Sequence, residues 1–267
     1  MLDQAVLDVL AGRSRYAAIL GDGFALAAAL DDGAVGLVLG DLPYDEKTHT
    51  HARSLKDGGS DIDIDFAALP PVSSFLPSLL RCSARWVLCF CAMEQLGAYA
   101  AAAGEDAWIR AGVWVRTNGT PQISSDRPAQ GAEGLAIMHR STTKKRWNSG
   151  GKRGAWTGPR DDDPTRQHPT KKPLWLIEAL LRDFAEPGDL VLDPTMGEGT
   201  TGEACLKMGL PFIGCEIDPK YHAMAVKRLE RAASAGVQMT IPARQPRAQQ
   251  AKMFPTDAAK RAAERGR

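Results

Sequence analysis

The segment Leu190-Val191-Leu192-Asp193-Pro194-Thr195-Met196-Gly197-Glu198-Gly199-Thr200-Thr201-Gly202 constrains the fold more than any other stretch of the chain. A short apolar run ending in Asp193 reads as a buried strand, the glycines as a tight turn, and the residues from Thr200 as a helix start. Pro211-Phe212-Ile213-Gly214-Cys215-Glu216-Ile217-Asp218 then reads as a second strand ending in acids. Strand, Gly-rich turn, helix and strand in that order read as a nucleotide-binding βαβ unit. The glycines let backbone approach a ligand closely, and free N–H groups at the helix start suit a carboxylate. Glu216 lies 19 positions after Gly197, as does the ribose-binding acid of nucleotide-binding βαβ units. No lysine stands in the phosphate-loop position, which disfavours ATP and leaves an adenosyl ligand without phosphates.

Far upstream, the apolar run Ala34 to Leu39 leads into Asp41-Leu42-Pro43-Tyr44. In open α/β sheets ligands bind beyond the carboxyl ends of strands, which is where this tetrapeptide falls. Its composition suits chemistry on a planar exocyclic amine, whose nitrogen lone pair is delocalised into a ring. The Asp41 carboxylate accepting one N–H and the Leu42 carbonyl accepting the other would redirect that lone pair. Pro43 fixes the backbone and Tyr44 offers a face on which a base can stack. The same four residues also read as a strand end followed by a turn.

Helical and strand patterns elsewhere support alternation: helix Leu2 to Leu10, strand Ala17 to Leu20, helix Ala25 to Leu30, strand Val35 to Gly40, helix Val72 to Cys82, strand Trp86 to Cys91 and a helix through Ala100. Val113 to Arg116 and Leu135 to Met138 are further strand candidates, and Leu174, Ile177, Leu181 and Phe184 recur at helical spacing. Glu46 to Phe66 is polar and glycine-containing and reads as a loop. The five cysteines, Cys82, Cys89, Cys91, Cys205 and Cys215, contain no Cys-x-x-Cys pair and fall in apolar patterns, so free buried thiols are expected rather than disulfides or metal ligands. His49-x-His51 lacks an evident third ligand, and no metal is expected. No apolar run is long enough to cross a bilayer and the amino end lacks a signal-peptide pattern, which points to the cytoplasm.

The net charge of +1 hides an uneven distribution. Residues 139–172 hold ten Lys/Arg against three Asp, a balance of +7, interleaved with Trp147, Trp156 and glycines. That composition suits a nucleic-acid backbone with a few base-reading side chains, with Arg146, Lys152 and Arg153 as the preferred contacts and His49, His51 and Arg53 as contacts from the polar loop. Residues 244–267 carry seven basic and two acidic residues, +5, and read as a basic extension.

Three segments together resemble the β group of amino-methylating DNA methyltransferases. Asp41-Leu42-Pro43-Tyr44 resembles their catalytic tetrapeptide, His168-Pro169-Thr170-Lys171-Lys172-Pro173 their His-Pro-Thr-x-Lys-Pro segment, and Asp193 to Gly202 their Asp-Pro-Phe-x-Gly-x-Gly-Thr-Thr cofactor motif. Thr195 stands where the family has Phe, and Leu42 where Pro is commoner. The order, catalytic motif first and cofactor motif last, is that of the β group. The resemblance implies a Rossmann-like S-adenosylmethionine-dependent methyltransferase fold, a mixed, mostly parallel sheet flanked by helices with an inserted target-recognition region. It also implies catalytic roles for Asp41, Leu42, Pro43 and Tyr44. Cofactor contacts are implied for Asp22, Lys172, Pro173, Asp193, Pro194, Thr195, Gly197, Gly199, Thr200, Thr201, Glu216 and Ile217.

On this reading residues 1–115 form the catalytic half, 116–167 the recognition insertion, 168–235 the cofactor half and 236–267 a basic tail. The expected activity is methylation of adenine N6 in double-stranded DNA after base flipping, by a homodimer, in the setting of a restriction-modification system. Asp rather than Ser at position 41 leans toward adenine. Cytosine-N4 methylation and a catalytically silent DNA-binding subunit are the alternatives.

Overall fold

The computed structural model describes residues 2–42, 70–119, 122, 126–140, 142–161 and 172–241. Their architecture follows from strands that are apolar on both sides and therefore need cover on both. In strand β2 (Val35–Asp41) Leu37 and Leu39 point to one face and Val38 to the other, and all three are buried. Strand β3 (Ser83–Cys91) repeats the pattern, with Trp86, Leu88 and Phe90 on the first face and Val87, Cys89 and Cys91 on the second. Such runs are the signature of a sheet with helices on both faces.

Helices α1 (Gln4–Leu10), α2 (Gly23–Ala29), α3 (Val72–Cys82) and α4 (Leu96–Ala107) cover the second face, burying Val6, Ala27, Phe75, Leu79 and Tyr99 there. Helices α5 (Leu174–Phe184), α6 (Thr200–Lys207) and α7 (Pro219–Ala235) cover the first with Leu176, Leu180, Cys205 and Leu229. Local sequence starts several of these helices. Asp3, Asp22 and Asp218 each accept backbone N–H groups of the first turn, and Pro219 opens α7, where its missing N–H costs nothing.

The remaining strands are β1 (Tyr16–Leu20), β4 (Trp108–Arg116), β5 (Ala132–His139), β6 (Ala155–Gly158), β7 (Val191–Asp193) and β8 (Phe212–Glu216), and the sheet order is β1-β8-β7-β2-β3-β5-β4-β6. The first five in that order are parallel, whereas β5 is antiparallel to both β3 and β4. From β2 the chain crosses through α3 to β3, and from the neighbouring β7 it crosses through α6 to β8, in the opposite direction. The strand order therefore reverses between β2 and β7, and the crevice beyond their carboxyl ends is where an open α/β sheet binds ligands.

Two features depart from the sequence expectations. Strand β4 begins at Trp108, earlier than Val113, because its first half pairs with β5. Residues 116–167, expected as an insertion, supply β5 and β6 to the same sheet, and β6 was not anticipated because its four residues include a single buried side chain, that of Trp156.

Candidate active site

Asp41 is the last residue of β2 and Leu42 follows it, buried. The Asp41 side chain is 28% exposed, which leaves it an open edge on the crevice. Its Oδ1 accepts a hydrogen bond from Lys172 Nζ at 2.6 Å, and the same ammonium lies 2.8 Å from Glu133 Oε1. Lys172 stands just before α5 and Glu133 near the start of β5. Both are almost fully buried, and the Phe90 ring lies beneath the ammonium at 5.0 Å. Burial raises the Asp41 carboxyl to about 6, against the opposing pull of Lys172 and with further help from the Glu133 charge.

One strand over, the turn after β7 is tied to Asp41. Thr195 Oγ1 donates to the Asp41 carbonyl at 3.1 Å, and Thr195 N donates to Asp193 Oδ1 at 3.0 Å. Asp193 is buried, and burial raises its carboxyl to about 7 although hydrogen bonds from Thr201 and the Thr195 backbone pull the other way. Gly197 and Gly199 have positive φ of 51° and 81°, a region that only glycine enters freely. This geometry aims Gly197 N at Glu216 Oε2, 2.9 Å away, while Glu216 Oε1 accepts Asp218 N. The carbonyl of Glu216 accepts Gly21 N at 2.9 Å, which brings the end of β1 and Asp22 to the same crevice. Asp22 Oδ1 caps α2 through Phe24 N and Ala25 N, and Gly23 packs directly on the Pro194 backbone.

The structure thus brings Asp22, Asp41, Lys172, Asp193, Pro194, Thr195, Gly197 and Glu216 to one edge of the sheet. Thr200 and Thr201 lie buried in the first turn of α6, where Thr200 Oγ1 accepts from Arg228 Nη1 at 3.0 Å. Pro173 caps α5 and Ile217 is exposed beside Glu216. Pro43, Tyr44, His49, His51 and Arg53 lie outside the described residues. Lys172, expected at the cofactor, is bonded to Asp41 and to Glu133.

The structure holds Arg146 and Lys152 away from Asp41. Strand β5 runs against β3, so His139 at its end pairs with Trp86 near the start of β3, on the edge opposite Asp41. The segment that follows begins on that far edge and is held there. Trp86 Nε1 donates to the Arg146 carbonyl at 2.8 Å, and Arg146 Nη1 pairs with Glu186 at 3.1 Å. Lys152 Nζ donates to the buried Asp183 at 2.5 Å, and Asp183 also accepts from Ser149 Oγ and Trp156 Nε1. Arg153 is exposed and stands just before β6, whose first residue, Ala155, pairs with Val113 in the middle of β4. Arg146 and Lys152 therefore fasten this segment to α5 and the turn after it. Charge density alone does not register the reversal of β5.

Glu133 and Asp183 were not anticipated. Glu133 sits in no motif, and only its position in an apolar strand marks it. Asp183 carried a readable signal, being an acid on the buried stripe Leu176, Ile177, Leu180 and Phe184 of α5. The five cysteines are free and buried as expected. Burial pushes Cys82 up to about 11 and Cys91 and Cys215 up to about 12, so none supplies a thiolate near neutral pH.

Residues 105–227 match the family model of DNA methylases that modify N6 or N4 amines. That match spans a little under half of the chain, and over it the chain is similar to the DNA methylases. The match takes in β5 with Glu133, Lys172 and the whole turn after β7. Among curated relatives, the type II methyltransferase M2.LlaDCHI of Lactococcus lactis subsp. cremoris is 28% identical over 138 residues, covering 46% of this chain and 51% of that protein. The DNA adenine methyltransferase YhdJ of Escherichia coli is 41% identical over 70 residues, covering 26% of this chain and 24% of that protein. The chain thus spans about half the length of the first relative and about a quarter of the second. Its fold is that of the solved M1.HpyAVI-SAM complex, with a TM-score of 0.61 and 24% identity over 80% of this chain and 100% of that one. Among the described residues no helix is long and apolar enough to cross a membrane and no cluster of potential metal ligands occurs.

Proposed function

We propose that the protein transfers a methyl group from S-adenosylmethionine to the exocyclic N6 amine of adenine in duplex DNA. The observation that carries this reading is the bond from Thr195 Oγ1 to the Asp41 carbonyl, which joins a glycine-rich turn suited to the cofactor to a carboxylate suited to an amine. The residues fit the cofactor. Glu216 stands at the ribose position, the buried turn at Asp193 to Gly199 approaches closely, and exposed Leu20 and Ile217 offer apolar surface to an adenine ring. When bound, S-adenosylmethionine supplies an electrophilic methyl on a sulfonium.

The chain's own task is to prepare the amine. Asp41 accepts one N–H through its exposed edge and the Leu42 carbonyl accepts the other, which turns the nitrogen lone pair toward the methyl. Positive charge grows on that nitrogen as it attacks, and the ionised Asp41 stabilises it. A base reaches this position by leaving the duplex stack. No thiolate is required, in keeping with the raised cysteines. Asp at position 41 and the adenine activity in the name of the Escherichia coli relative favour N6, while the family model covers N4 as well.

The duplex then approaches the crevice edge, where the carboxyl ends of β4 and β6 and the connection from β4 to β5 carry Arg116, Arg127 and Arg160. Replacing Arg127 and Arg160 should flatten the salt dependence of DNA binding, and replacing Arg146 should leave it unchanged. A homodimer is the proposed assembly, to be checked by sedimentation with and without DNA. The central experiment incubates the protein with unmethylated DNA and methyl-labelled cofactor and analyses the nucleosides. N6-methyl-2′-deoxyadenosine is expected, N4-methyl-2′-deoxycytidine overturns the base assignment, and absence of label overturns the activity.

A further inference from the structure

The Asp41–Lys172 pair poses a chemical problem. An ammonium 2.6 Å from the carboxylate would neutralise the very charge that an amine gaining positive charge needs. Glu133 removes the difficulty. Its Oε1 lies 2.8 Å from the same ammonium, so two carboxylates share one cation and the trio keeps a net charge of −1. Lysine has three ammonium hydrogens, enough to serve both carboxylates at once. The Glu133 side chain is 6% exposed and that of Lys172 4%, and burial magnifies the charge balance.

We propose that Glu133 is a positioning residue for methyl transfer: by sharing Lys172 with Asp41, it holds the ammonium on Oδ1 and preserves a negative charge at the edge of Asp41 that meets the amine. The proposal rests on the amine-methylation reading above. Asp41 Oδ2 has no hydrogen-bond partner among the described residues, which suits it to the substrate. The titratable groups around Asp41 in the described residues are Lys172, Glu133, Asp193 of β7, Tyr99 of α4 and, beside Lys172 and Glu133, Cys91 of β3. Tyr99 and Cys91 are held neutral by burial. Among these carboxylates of the described residues, Glu133 pairs with the cation that holds Asp41.

The test is Glu133→Gln, which keeps an acceptor for Lys172 and removes the charge. The trio then becomes neutral. Single-turnover methyl transfer to unmethylated plasmid DNA should fall roughly 10- to 100-fold, because a nearby charge that stabilised the transition state has gone. Affinity for S-adenosylmethionine, measured by calorimetry, should stay within about twofold, a change of under ~0.5 kcal/mol. The acid limb of the rate profile should move to lower pH, since a negative neighbour of Asp41 is lost. Lys172→Gln should move it to higher pH. A merely structural role would lower the rate without opposite shifts, so a lower rate with an unmoved limb overturns the proposal, as does a wild-type rate in Glu133→Gln.

If the wild-type protein methylates no DNA, the functional reading fails, and the coupling between Glu133 and Asp41 is then decided by titration alone. The Asp41 carboxyl carbon, assigned by comparison with Asp41→Asn, is titrated by carbon NMR in wild type and Glu133→Gln. A lower midpoint in the variant supports the coupling, and an unchanged midpoint overturns it.

Discussion

Gly23→Ala tests whether the contact between α2 and the turn after β7 shapes the cofactor site. An added Cβ would lie 2.6 Å from the Pro194 carbonyl carbon and 2.7 Å from its Cα. Carbon atoms prefer roughly 3.5–4.0 Å, and the Pro194 carbonyl oxygen lies closer still to that Cβ, so α2 and the turn must separate by more than about 1 Å. The obstacle is backbone and cannot rotate away. Overpacking of this kind costs about 1–3 kcal/mol, against a helix-propensity gain of at most about 1 kcal/mol. The net loss of about 1–2 kcal/mol corresponds to a fall in Tm of about 2–8 °C for a chain of this size. The displaced turn carries Thr195 and Gly197 away from Asp22. One lost hydrogen bond of about 1.5 kcal/mol weakens S-adenosylmethionine about tenfold. Thermal denaturation and calorimetry read the two effects. Gly21→Ala is the control, because a Cβ there meets nothing within 4 Å. Unchanged Tm and affinity in Gly23→Ala, or equal losses in both variants, would refute the reasoning.

Asp41→Asn should retain S-adenosylmethionine affinity and lose methyl transfer by two orders of magnitude or more in single-turnover assays. The wild-type rate should fall as pH drops through about 6, where Asp41 takes up its proton, which a pH profile of single turnovers will show. Stability should run the other way. The folded carboxyls of Asp41 and Asp193, raised to about 6 and about 7, bind protons at pH values where the unfolded chain does not. These two groups therefore make the cofactor-free protein more stable as pH falls from about 7 toward 4, measurable by urea titration. Asp183→Leu removes a buried acceptor of three side chains and should cost about 3–5 kcal/mol in chemical denaturation, with Trp156 Nε1 left unbonded.

Much of this site was legible because its parts are local. Asp193, the two glycines with positive φ and Glu216 belong to one βαβ unit, whose period, turn chemistry and spacing can all be read in sequence. Asp41 was legible through the character of the residues around it. Glu133 was not, since nothing near it announces a partner: it meets Lys172 only because β5 pairs with β3. The surroundings of Arg146 and Lys152 were hidden for the same reason. Charge density identified a basic segment, but strand direction decides which edge that segment occupies. Asp183 fell between the two cases, visible as a polar residue on an apolar stripe but silent about what it would bind.

The reversal of β5 also bears on how such a protein can be altered. A parallel strand offers the crevice only its last residues, and the chain must then leave through a helix that packs on the sheet. β4 ends and β5 begins at the crevice edge, so the connection between them can be shortened, lengthened or exchanged without rethreading a crossover helix. On the proposed function, substrate preference and catalytic geometry are thereby built on separable parts. Grafted connections between Arg116 and Ala132 are the natural place to redirect which DNA sequence the site accepts, with Asp41, Lys172 and Glu133 left as they stand.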